Sequence, residues 1–153
     1  MKTAYSAAGF APIRTAAGSW TIEEIRRMPL FGFQRLLGHE LRIVEPELIV
    51  ADLQTRPELL NSVGSIHGGV LMAFADCLGA MGALQHLVPN QRTATLESKT
   101  NFIGSACGDS ISGRCTPVHI GRRTSVWNTI ITDSDGRLLA SITQTQMNLE
   151  NAD

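Results

Sequence analysis

The sequence predicts an α+β fold in which one long, almost uncharged helix packs on an antiparallel sheet. Two observations carry this reading. The stretch from Gly68 to Leu87 is apolar and holds a single formal charge, Asp76. Beyond it, four segments rich in Thr, Val and Ile are separated by Gly-Asp, Gly-Arg and Asp-Gly breaks, the pattern of strands joined by hairpins. The helix has only one sheet to pack on, yet it is apolar all round. Either the sheet curls around it or a second chain covers the remainder.

At 153 residues the chain suits one domain with a core large enough to need no metal or disulfide staple. A net charge of −1 gives no footprint for nucleic acid, and none is expected as a partner. Cys77, Cys107 and Cys115 form no C-x-x-C pair, and an odd count favours a reducing compartment, so a cytoplasmic location is expected. The spacing of the four histidines and three cysteines supports no metal site. The Gly68–Leu87 stretch is long enough to span a bilayer. However, an Asp near its centre would cost roughly 2.5–3.5 kcal/mol, and no Lys or Arg flanks it closely. A central helix of a soluble domain is the expectation, with no membrane partner.

The elements follow in order. Residues 1–20 are rich in Ala, Ser, Thr and Gly, contain no acid and lack the apolar run of a secretory signal. They are expected to be a flexible arm before a single domain over 21–153. Thr21-Ile22-Glu23-Glu24 has the form of a helix start, with Thr21 as cap and Glu24 three residues on, and Pro29 should stop that helix. Leu30 to Leu37 predicts a short helical turn before Gly38. His39 to Thr55 reads as two extended pieces that turn near Glu45-Pro46-Glu47; Ile49, Ala51 and Leu53 alternate with Val50, Asp52 and Gln54. Pro57 to Ile66 is a loop. The long helix is expected from about His67 to Leu87, ended by Pro89-Asn90. Strands are expected over Thr93–Cys107, Ser110–Ile120, Thr124–Thr132 and Leu138–Leu149, with Asp133-Ser134-Asp135-Gly136 as a hairpin turn.

Asp76 is the first candidate for chemistry. A carboxylate in apolar surroundings is costly unless it is partnered or reacts. His67-Gly68-Gly69 is the second, because a helix N-terminus leaves backbone N–H groups free to meet negative charge. An acid and an oxyanion donor are the minimum needed to attack an activated carbonyl. One helix cannot bring them together: eight residues at about 1.5 Å each separate Gly68 from Asp76 by roughly 12 Å. If both act on one carbonyl, they come from different subunits. The stripe Gly69, Met72/Ala73, Asp76, Gly79/Ala80, Ala83 is mostly small and would let two antiparallel helices approach around a twofold axis.

The spacing Asn61-x-x-Gly64-x-x-His67-Gly68-Gly69, with Asp76 seven residues after the second Gly, resembles the hotdog-fold acyl-CoA thioesterases, nearest the phenylacetate-degradation (PaaI-type) branch. The likeness covers about Leu41 to Leu149. It implies a curved antiparallel sheet wrapped around a long central helix, here with an N-terminal helical extension. It implies hydrolysis of acyl-CoA to free acid and CoA in a homodimer that assembles to a tetramer. No cofactor is implied, CoA being part of the substrate. Asp76 would be general base or nucleophile, Gly68 N–H the oxyanion donor, and Asn61 the holder of water or substrate. His67 would shape the same corner by hydrogen bonding. Gly69 and Thr95 would lie against the substrate, and Arg122 and Arg123 near the nucleotide of CoA. The alternatives are a non-catalytic acyl-CoA-binding module and a hotdog hydratase or dehydratase. Glu97, Lys99, His119 and Cys77 are expected to be structural or surface residues, and Trp127 and Phe102 packing residues.

Overall fold

The computed structural model describes residues 32–105 and 108–150. The arm over 1–20, the domain boundary at 21, the helix start at Thr21–Glu24, the stop at Pro29 and Cys107 lie outside the described residues.

Helix α1 (Gly32–Leu37) ends at Gly38, whose φ of +72° suits a residue without a Cβ. Arg56 donates to the carbonyls of Leu37 (2.9 Å) and Leu36, so a cation caps the negative end of α1. Strands β1 (Glu40–Glu45) and β2 (Leu48–Gln54) follow, and Ile49, Ala51 and Leu53 are buried as their alternation predicts. A 3-10 turn (Pro57–Leu59) and a loop lead into α2 (Gly68–Leu84). Then come β3 (Gln91–Phe102), β4 (Ser110–Ile120), β5 (Thr124–Asp133) and β6 (Leu138–Glu150). The six strands form one antiparallel sheet in the order β1-β2-β4-β5-β6-β3.

The sheet resolves the question of how an all-apolar helix is covered. It is curved, and α2 packs on every strand from β2 to β6. Phe74 and Leu78 of α2 meet Ile49, Leu53, Ile111, Trp127, Ile131 and Ile142 in one core. Two glycines let the sheet come close. A Cβ on Gly79 would stand 2.3 Å from the Gln144 amide, and one on Gly82 would stand 2.6 Å from the Trp127 ring. The stripe read from the sequence is therefore split. Gly69, Met72, Ala73, Asp76 and Ala80 form the less buried line of α2, while Gly79 and Ala83 are covered.

Two boundaries differ from the sequence reading by three residues or more. Helix α2 ends at Leu84 rather than Leu87. The Gln85 and His86 N–H groups reach back three residues, to Gly82 O (3.1 Å) and Ala83 O (3.0 Å). His86 Nε2 then lies 2.6 Å from Pro46 O in the β1–β2 turn, a tertiary bond that unwinds the last turn. Strand β3 stops at Phe102 rather than Cys107, because the Ile103 and Gly104 N–H groups both donate to one acceptor, Leu139 O (2.8 and 2.9 Å), and the ladder ends. The predicted turn after β5 is present. Asp133 Oδ1 accepts from the Asp135 and Arg137 N–H groups, and Gly136 has a φ of +79°.

Candidate active site

The start of α2 is built by His67. Its backbone is extended, and its Nδ1 accepts the Gly69 N–H at 2.9 Å, an imidazole cap on the first turn. The Gly69 N–H is thereby committed. The Val70 and Leu71 N–H groups turn back to His67 O. The Gly68 N–H has no hydrogen-bond partner among the described residues. A Cβ at Gly68 would lie 3.0 Å from the Phe102 ring, so Phe102 packs over this amide while staying 56% exposed.

Asn61 closes the loop that feeds the helix. Its Oδ1 accepts from Val63 N (3.0 Å) and Ser65 N (3.1 Å), and its own N–H donates to Ser65 O at 2.8 Å. Its Nδ2 makes no hydrogen bond among the described residues.

Asp76 lies midway along α2, half-buried, eight helical residues from Gly68. Thr95 on β3 donates through Oγ1 to Asp76 Oδ1 at 2.8 Å. Gln144 Nε2 stands 3.4 Å from both Asp76 Oδ1 and the Asp76 carbonyl. Gln146 Nε2 donates to Thr95 Oγ1 at 2.8 Å, and Thr93 Oγ1 donates to Gln146 Oε1 at 3.0 Å. Asp76 Oδ2 has no partner among the described residues. The Cys77 thiol is pushed up to about 11, by burial first and then by the charge of Asp76, which disfavours its thiolate form.

The resemblance implied Thr95 as a residue against the substrate; in the structure its hydroxyl is in contact with Asp76. Sequence reasoning missed Gln144 and Gln146. A signal was there: on β6, Ala140, Ile142, Gln144 and Gln146 all face inward and are buried, so two glutamines occupy core positions of an alternating strand. Arg122 and Arg123 sit exposed at the β4–β5 hairpin. They line a groove of about 390 Å³ with Gln91, Met147, Asn148 and Glu150. Asn148 fixes this hairpin end, its N–H donating to Arg123 O at 2.8 Å and its Nδ2 to Arg122 O at 3.3 Å. Met147 and Asn148 directly follow Gln146 on β6, so one strand joins this groove to the Asp76 network. A larger cavity, about 820 Å³, lies between α1, the 3-10 turn and Val70 of α2.

Glu97, Lys99 and His119 are exposed, and Trp127 is fully buried with its Nε1–H on Ser125 Oγ at 2.8 Å. Among the described residues no group of three or more His, Cys, Asp or Glu is placed to hold a metal ion, and no helix is long and apolar enough to cross a membrane.

Residues 63–140, half of the chain, match the thioesterase superfamily. The chain belongs to that superfamily, with the hotdog fold, and its class is that of a thioester hydrolase. Among its relatives, a 1,4-dihydroxy-2-naphthoyl-CoA hydrolase of Listeria monocytogenes is 30% identical over 71% of this chain and 88% of the relative. The enzyme of the same name from Escherichia coli is 33% identical over 79% of this chain and 89% of its own. A solved thioesterase from Haemophilus influenzae superposes with a TM-score of 0.81 at 21% identity, over 88% of this chain and 94% of that one; this likeness bears on the fold.

Proposed function

We propose that the chain hydrolyses acyl-CoA thioesters to free acid and CoA in sites shared by two protomers. The observation that carries this reading is Asp76, held through Oδ1 by Thr95 with Oδ2 open, on a helix whose first amide, Gly68 N–H, is unpaired. Relatives named as hydrolases of a CoA thioester support the substrate class.

In this mechanism Asp76 Oδ2 takes a proton from water as the water oxygen adds to the thioester carbon. The C–S bond then breaks and CoA leaves as its thiol, reprotonated from Asp76. In the covalent variant Oδ2 itself attacks, the C–S bond breaks and CoA leaves as its thiolate; water then opens the anhydride to the free acid and the Asp76 carboxylate, and the proton released goes to the thiolate. The developing oxyanion meets the N–H of the partner's Gly68, since the Gly68 of the same chain is about 12 Å away along the helix. Asn61 Nδ2 and His67 face the same corner. Arg122 and Arg123 meet the phosphates of CoA. No cofactor takes part. The long β3 edge carries unpaired backbone groups and an exposed Leu96, which supports pairing of two chains there into a homodimer, with a tetramer as its further assembly.

Incubating the protein with benzoyl-, phenylacetyl- and hexanoyl-CoA and a thiol reagent tests the reading. Release of free CoA is expected from at least one. Addition of water without CoA release would make the protein a hydratase, and tight binding with neither would make it a binding module. Asp76→Asn should keep the fold and lower kcat by at least about a hundredfold, the low end for a general base. Near-normal turnover in a folded variant removes Asp76 from the mechanism.

A further inference from the structure

We propose that Gln146, a fully buried residue, is a positioning residue for the catalytic acid, acting through Thr95. This rests on the hydrolytic reading of Asp76 and goes beyond it by assigning separate tasks to the two carboxylate oxygens.

The Thr95 hydroxyl has one proton and two neighbours. It is 2.8 Å from Asp76 Oδ1 and 2.8 Å from Gln146 Nε2. An amide nitrogen only donates, so Thr95 accepts from Gln146 and its own proton goes to Asp76. The chemistry fixes the amide orientation. Were the Gln146 amide turned round, its oxygen would draw the Thr95 proton away, and a hydroxyl lone pair would face an ionised carboxylate at 2.8 Å. Thr93 supports the observed orientation from the far end: its Oγ1 lies 3.0 Å from Gln146 Oε1 and 3.3 Å from Met147 O, and its one proton favours the nearer acceptor. Gln146 is fully buried and cannot exchange these partners for water. Three side chains from adjacent strands, Thr93, Gln146 and Thr95, thus form one directed chain of donors ending on Asp76 Oδ1.

The consequence is a division of labour within the carboxylate. Oδ1 accepts from Thr95, with Gln144 Nε2 at 3.4 Å on the same atom. Oδ2 is therefore the oxygen that takes the proton or attacks, and its direction is set by the grip on Oδ1. Misplacing a reacting group by about 1 Å can cost a hundredfold in rate. The gain should appear in kcat.

The test is a kinetic cycle on the intact protein with the fastest of benzoyl-, phenylacetyl- and hexanoyl-CoA. Gln146→Met should lower kcat about tenfold with KM unchanged, the scale of one lost buried hydrogen bond. In a Thr95→Val background the same change should add nothing, because its effect runs through the hydroxyl. Thr95→Ser should retain the Gln146 dependence. Thr93→Val, a milder change in case Gln146→Met fails to fold, should lower kcat less and again only when Thr95 is present. Equal losses in both backgrounds, or a change confined to KM, would overturn the proposal. The Gln146 side-chain amide signals in ¹⁵N NMR give a readout independent of activity. They should move on Thr95→Val and on Asp76→Asn. Unmoved signals overturn the chain itself. Absence of turnover on all three substrates with the signals moving as expected means that the hydrolytic reading has failed and the hydrogen-bond chain has not.

Discussion

Asp76 is tolerated on an apolar helix because two neighbouring strands supply its donors. A hydrogen bond to a charged group contributes about 1.5–3 kcal/mol, against a penalty of several kcal/mol for a buried charge left alone. Half-burial keeps that penalty moderate and leaves Oδ2 open. His39 shows the opposite treatment. It is buried beside the Phe74 ring, centroids 5.9 Å apart, with neither ring nitrogen hydrogen-bonded. Burial holds its pKa below the ordinary value of 6.5. Below about pH 6.5 the unfolded chain takes up a proton that the folded chain resists, so stability should fall as pH drops through that range. Urea unfolding at pH 7.5 and 5.5 should show the wild type losing more stability than His39→Leu. An equal loss in both would mean that His39 does not contribute to the slope. The burial of His39 was not legible in the sequence. It follows Gly38 at the head of a strand, and only packing against α2 places it inside.

At the scale of elements, each candidate group occupies a position that its element makes rigid. His67 caps α2, Asn61 ties the preceding loop to itself, and β3 presents Thr95 beside the helix. A register shift on β3 between Thr95 and Glu97 leaves Leu96 as the extra residue, next to the Thr95 hydroxyl that holds Asp76. The β4–β5 hairpin holds Arg122 and Arg123 by backbone bonds to Asn148, which leaves both guanidinium groups exposed. Removing both, as Arg122→Ala with Arg123→Ala, should raise KM for acyl-CoA and spare kcat, because in the proposed site they would meet only the remote end of the substrate. A short thioester lacking the nucleotide should be unaffected. Equal damage to both substrates would make the pair structural. The hairpin and the helix start were legible because turn and cap residues act over a few positions. The end of α2 was not, because His86 reaches a carbonyl forty residues earlier in the chain.

The whole molecule sets the strictest demand, since Gly68 and Asp76 share one unbroken helix and lie about 12 Å apart. Two inactive parents test the shared site. One is Asp76→Asn. The other is Gly68→Pro, which removes the amide at the first helical position, where proline is best accepted. The extended backbone of His67 suits the residue before a proline, and the Phe102 ring over Gly68 is exposed enough to shift. Refolded together at equal amounts, half of the dimers should be mixed, each with one intact site, and activity should return to about a quarter of wild type. No recovery, with mixed dimers established by mass spectrometry, would place the site within one chain.

What the sequence determined by itself is local and periodic. The apolar run around one acid, the His67-Gly68-Gly69 start, the alternation of β2 and the hairpin turn at Asp133–Gly136 each depend on neighbours a few residues away. The tertiary structure decided what depends on distant partners. It curved the sheet over α2, buried Gly79 beneath Gln144 and Gly82 beneath Trp127, and shortened α2 through His86. It also turned two glutamines on β6 into the support of Asp76. A glutamine carries the same propensities on a surface as in a core. Only the burial of its strand face, and a threonine and a carboxylate brought within hydrogen-bond distance from elsewhere in the chain, give it one orientation.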